Sequence, residues 1–265
     1  MNNKKTASAV RNSIISLNKG KVKTILKLTL AIFALTAWVA ISFIASQYTI
    51  LFILEHIFNL TSTHFEQPFW LAIYEFLNYA LMITLIILVP AKILKKIKFT
   101  KTNLQELGLE NLPTWIDIGL APVGFIAYTI LAAAIVAVFS AIFPWFDASE
   151  IQDTGFNNFA NNLDKVIAFF ALVVIAPIAE EIIFRGWLYG KLRQIIPQKI
   201  SIPLSMLIVS ILFGLVHLQW NVGVNVFCLS LILCAMREVT GTIYSGIFLH
   251  MLKNGIAFYL LYVIM

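Results

Sequence analysis

With 265 residues, 60% of them apolar and only 12% charged, the chain carries a net charge of +6 and a mean hydropathy of +0.88. Soluble domains hold about a quarter of their residues as charges, so this balance excludes a water-soluble globule and implies an all-α, polytopic transmembrane helical bundle in a lipid bilayer. The positive charge suits anionic lipid head groups, and no nucleic-acid partner is expected.

In chain order, residues 1–23 form a basic cytoplasmic tail bearing Lys4, Lys5, Arg11, Lys19, Lys21 and Lys23. The first apolar run, 27–54, exceeds the ~7 to 15 residues of a signal-peptide core and is expected to persist as a span. Further runs follow at 69–91, 115–145, 166–183, 203–216, 222–236 and 243–265. Several match the ~20 residues a helix needs to cross hydrocarbon, while the two between 203 and 236 are shorter. Seven spans are expected, or eight if the long third run splits, in one transmembrane domain over 24–265.

The connections have different characters. The stretch TNLQEL predicts a short interfacial helix, capped by Thr102 or Asn103, with Glu106 in its first turn and Gly108 as its stop. Residues 146–165, FDASEIQDTGFNNFANNLDK, are acidic and asparagine-rich and read as a solvated spacer. Lys92, Lys95, Lys96, Lys98 and Lys101 follow the second run, and Lys191, Arg193 and Lys199 the fourth, whereas 55–68 and 146–164 hold no lysine or arginine. Basic loops stay on the cytoplasmic side, so the N-terminus is placed inside and the C-terminus outside. Cys228 and Cys234 lack metal or redox spacing and are expected as buried free thiols. Gly186 and Gly190 form a G-x-x-x-G suited to close helix packing.

An ionisable side chain at the bilayer centre costs at least ~2.5 kcal/mol on insertion scales. Glu180, Glu181, Arg185, His217 and His250, with the amide Asn254, are therefore the functional candidates. Glu181 and Arg185 stand four apart, acid first, and should pair on one helical face. Glu180 is turned about 100° from Glu181 and points elsewhere. His250 and Asn254 share a face, as do Phe213 and His217. On ~1.5 Å of rise per residue, Glu180, His217, His250 and Asn254 fall in one layer roughly 14 to 21 Å from the cytoplasmic boundary.

One carboxylate, two imidazoles and an amide in an apolar shell suit hydrolysis. Glu180 can take a proton from water as general base while an imidazole or the Asn254 amide donates to an oxyanion. Alternatively Glu180, His217 and His250 can hold a divalent metal such as zinc with one position open for water. The residues alone leave both routes open.

Three motifs carry a resemblance. Glu180-Glu181-Ile182-Ile183-Phe184-Arg185, Phe213-Gly214-Leu215-Val216-His217 and His250-Met251-Leu252-Lys253-Asn254 stand intact and in order. The chain is similar to the CAAX prenyl protease type II and bacteriocin-processing family of intramembrane proteases, also called CPBP or Abi. The similarity covers about 165–262, and Leu107-Gly108-Leu109 resembles the family's usual approach to the next span. It implies an all-helical membrane core in which Glu180 activates water and His217, His250 and Asn254 complete the site. Glu181 and Arg185 would support it by holding the helix and its charge balance. It also implies hydrolysis of a membrane-associated peptide or protein, in peptide maturation or self-immunity against bacteriocins. The short outer loops and basic tail look more like a bacterial member in the plasma membrane than a trimmer of prenylated C-termini. Lys253 departs from the pattern as a cation that must snorkel, pair or line the cavity. The competing readings are a non-catalytic bacteriocin immunity or membrane scaffold protein, and a proton-coupled transporter, which the absence of internal repeats disfavours.

Overall fold

The computed structural model describes residues 2–93 and 102–264, with side chains over 22–91 and 102–264. Lys4, Lys5, Arg11, Lys19 and Lys21 of the tail, and Lys92, Lys95, Lys96, Lys98 and Lys101, lie outside the described side chains. Helices are the only regular elements among the described residues: α1 (Asn2–His56), α2 (Ser62–Phe65), α3 (Pro68–Ala91), α4 (Leu104–Leu107), α5 (Trp115–Ile142), α6 (Asn162–Ile195), α7 (Gln198–Leu215), α8 (Trp220–Thr240) and α9 (Tyr244–Ile264). In lipid every backbone N–H and C=O has to be satisfied within its own segment, which leaves the helix as the form for such apolar runs.

Seven of these helices, the first counted from Val22, are long and apolar enough to cross a membrane. The expected third run does not split: α5 is one helix, started by a capping box between Thr114 and Asp117. It ends at Ile142 rather than at 145, where Phe143 is extended ahead of Pro144. The fourth apolar run ends at 183, but its span was expected to end near Lys191, and α6 continues to Ile195. The buried pair Glu181 and Arg185 neutralises the charges that broke the apolar pattern there.

Helix α6 is the centre of the bundle. Its second half buries Ile183, Phe184, Trp187, Leu188 and Leu192 against α1, α3, α7 and α8. A second cluster joins α5, α8 and α9 through Tyr128, Leu229, Leu233 and Leu249. The α7 and α8 helices approach closely at Gly214 and Gly223, where a Cβ on Gly214 would lie 2.8 Å from the Gly223 carbonyl oxygen. The short helix α4 forms as expected: the Asn103 side chain accepts from the Glu106 N–H, and Gly108 closes it at φ +72°. The Gly186 and Gly190 stripe receives this segment rather than a neighbouring span, since a Cβ on either would lie 3.2 Å from the carbonyl oxygens of Leu107 and Glu106. Lys191 pairs with Glu106 at 2.9 Å, Arg237 donates to the Glu106 carbonyl, and the Gly108 carbonyl accepts from Ile243 N–H. The 106–108 stretch thereby ties α6 to α8 and to the turn that follows it. Cys228 and Cys234 are buried free thiols.

The 146–165 segment folds back onto the bundle. Phe156 is buried with Ala168, Ala171 and Phe258, so this connection is anchored, contrary to the expected spacer. At its exposed start, Asp147 accepts from the hydroxyl and N–H of Ser149, which hold its carboxyl below the usual range.

Candidate active site

The six polar candidates come from three places in the fold. Glu180, Glu181 and Arg185 lie on α6, His217 lies in the turn between α7 and α8, and His250 and Asn254 lie on α9. Helix α6 winds more widely than an α-helix over Phe170–Ile175 and again over Glu181–Tyr189, with a regular α-helical stretch, Ala176–Glu180, between them. Such π-helical windings recur at functional sites because they re-aim side chains within one helix. Here the change of winding falls between the two glutamates.

Glu181 and Arg185 are fully buried, and Nη1 of Arg185 donates to Oε1 of Glu181 at 2.8 Å. The guanidinium carbon also stands 4.3 Å from the Phe213 ring centroid, a cation–π contact that partly replaces lost hydration. His250 turns Nδ1 to the same Glu181 oxygen at 3.0 Å. The carboxylate accepts, so Nδ1 carries the hydrogen and a neutral His250 keeps its lone pair on Nε2. That Nε2 faces Oε2 of Glu180 at 3.8 Å. The imidazole therefore spans both glutamates, whereas the sequence placed Glu181 with Arg185 alone. Gly246 makes room for this, since a Cβ there would come 3.2 Å from Oε2 of Glu181.

Glu180 and Glu181 diverge as their helical offset requires. Oε1 of Glu180 accepts from the hydroxyl of Tyr79 on α3 at 2.7 Å. His217 lies just beyond the last turn of α7 and donates Nδ1–H to the Phe213 carbonyl at 2.7 Å, preserving the four-residue relation inferred from its motif. Its Nε2 is thereby left as the acceptor. Asn254 donates an amide hydrogen to the Leu172 carbonyl at 2.9 Å, in the widened first stretch of α6. The four residues of the inferred layer, Glu180, His217, His250 and Asn254, line one half-open cavity of about 570 Å³. Lys253 lines it as well.

Further cavity residues escaped the sequence reading, among them Glu75, Asn78 and Tyr79 on α3. The signal was present, because Glu75 is an ionisable residue inside an apolar span and Tyr79 stands four residues on. Their part in the site emerges only when α3 docks beside the middle of α6. The Ile151–Thr154 stretch of the folded-back connection also lines the cavity.

The donor set of Glu180, His217 and His250 is of a kind that binds zinc. Among the described residues, however, no three His, Cys, Asp or Glu side chains converge as metal ligands do. The arrangement does not fit a metal as it stands, so no chemical step is routed through one.

Residues 162–256 match the family described as type II CAAX prenyl endopeptidase Rce1-like. No match was found among curated proteins or among solved structures.

Proposed function

We propose, from the match of residues 162–256 to the type II CAAX prenyl endopeptidase family, that the chain hydrolyses a peptide bond inside the membrane with Glu180 as general base. The observation that carries the reading is the cavity shared by Glu180, His217, His250 and Asn254, with Tyr79 and Glu181 fixing the orientation of its two central groups.

The 3.8 Å between Oε2 of Glu180 and Nε2 of His250 is too long for a direct hydrogen bond and suits a water donating to both. Tyr79 occupies Oε1 of Glu180 and leaves Oε2 to that water. As the water oxygen attacks the scissile carbonyl carbon, Oε2 takes its proton and the carbonyl oxygen becomes an oxyanion. Asn254 spends one amide hydrogen on Leu172 and has a second for the oxyanion. When the carbon–nitrogen bond breaks, the proton held on Glu180 passes to the departing amine. His250 can share that proton on Nε2 while Nδ1–H stays on Glu181, whose charge, held by Arg185, offsets the imidazolium. His217 offers Nε2 to the water or the amide from the other side.

The substrate is a membrane-associated peptide or protein, and the setting implied by the family is peptide maturation or self-immunity in a bacterial plasma membrane. The basic residues of the tail and of alternate connections support an N-terminus on the cytoplasmic side. The test is cleavage of a library of membrane-anchored peptides by purified protein in lipid nanodiscs. Wild type should cleave, while Glu180→Gln should lose at least about a hundredfold in rate, the lower range for a general base. Full cleavage by the variant would overturn Glu180 as base. Absence of cleavage by both, with protection against a peptide toxin retained, would favour a non-catalytic immunity protein.

A further inference from the structure

Glu75 belongs to the cavity but has no part in the hydrolytic set and lies outside the segment 162–256 matched by the family. It sits on α3 four residues before Tyr79, about 6 Å of helical rise nearer the Pro68 end. The acidic and basic side chains lining the cavity are Glu75, Asp153, Glu180, His217, His250 and Lys253. All but Glu75 have either a hydrogen bond or an opposite charge close by. Glu180 has Tyr79 and the edge of His250, and both His217 and Lys253 lie within its field. Asp153 accepts from the Gly155 N–H and the Asn157 amide. Glu75 has no hydrogen bond or ion pair among the described residues, and its Oε2 is shielded from solvent with no donor.

A carboxylate removed from water without a partner is unfavourable. The missing partner is what a ligand can supply. The approach has the same sign: the connections at this end, 55–68 and 146–164, hold Glu55, Glu66, Asp147, Glu150, Asp153 and Asp164 and no lysine or arginine. The nearby Lys165 is engaged with the Tyr262 carbonyl at 2.8 Å. Charge of one sign lining a cleft draws in ligands of the opposite sign.

We infer that Glu75 is a specificity residue that binds a cationic group of the substrate peptide, a Lys or Arg side chain or a free α-ammonium, beside the bond presented to Glu180. The offset between Glu75 and Tyr79 corresponds to about two residues of extended chain, so the cation lies within a few positions of that bond. Lys253, close to Glu180, disfavours a second substrate cation at the deep end. The placement beside that bond rests on the endopeptidase reading, whereas the cation site itself does not.

The experiment uses the full chain in lipid nanodiscs and a dye-labelled, membrane-anchored Leu/Ala peptide set. Each position in turn carries lysine, norleucine or glutamate, with the N-terminus free or acetylated. Cleavage and equilibrium binding are both read. Wild type should favour lysine over norleucine at one position, or the free over the acetylated terminus, by on the order of tenfold. Glu75→Gln should erase that preference, and Glu75→Lys should transfer it to glutamate at the same position. The two preferences distinguish a side chain from an α-ammonium. A wild-type preference unchanged in Glu75→Gln would overturn the inference, as would its absence in wild type. Glu75-dependent binding without cleavage would uphold it while sinking the protease reading, and cleavage without Glu75 dependence would do the reverse.

Discussion

Replacing Arg185 by Met removes the partner of a fully buried carboxylate, with consequences that can be worked from the site. Glu181 accepts from Arg185 at 2.8 Å and from His250 at 3.0 Å, with no exposure to solvent. Without the guanidinium its charge is left to one neutral donor, and breaking such a buried pair costs about 3 to 5 kcal/mol. Loss of the stacking over Phe213 adds about 0.5 to 2 kcal/mol. At about 2 to 4 °C per kcal/mol for a chain near this size, the melting temperature should fall by on the order of 10 °C. The assay is thermal unfolding in nanodiscs followed by the fluorescence of the six tryptophans. The double variant Glu181→Gln with Arg185→Met has no buried charge to strand, and the glutamine carbonyl can still accept from His250. It should recover more than half of the loss. If the losses of the two single variants instead add in the double variant, the buried ion pair is not what holds this part of α6.

Other outcomes follow from the same geometry. Tyr79→Phe frees Oε1 of Glu180, and losing a hydrogen bond to a charged group should lower kcat on the order of tenfold or more with KM little changed. Steady-state kinetics on one cleaved peptide checks it. Gly214→Ala drives a Cβ to 2.8 Å from the Gly223 carbonyl, three residues from His217, and overpacking of about 1 to 3 kcal/mol should lower both melting temperature and cleavage. Gly108→Ala forces a side chain into φ +72° against the Arg237 guanidinium, so it should cost about 1 to 2 kcal/mol in the same melting assay. Because the His and Glu donors do not converge as metal ligands, cleavage should survive overnight treatment with a strong chelator. Loss of activity restored by added zinc would refute that expectation.

The class of fold was legible in the residues alone, and so were Glu180, His217, His250 and Asn254 as companions in one layer. Apolar runs of membrane length permit little but helices, because hydrocarbon offers no partners for the backbone. Four-residue spacing on one helix is a local property, so the Glu181 and Arg185 pair and the common face of His250 and Asn254 were legible without coordinates. So was the α4 turn at Asn103 and Gly108. What faces Glu180 depended on how the helices dock. Tyr79 and Glu75 lie about a hundred residues away in sequence on α3, and no periodicity couples one span to another. The bridging of both glutamates by His250 and the anchoring of 146–165 on the bundle through Phe156 depended on docking too. Local spacing orients a side chain relative to its own helix axis, while its partners depend on how the helices dock.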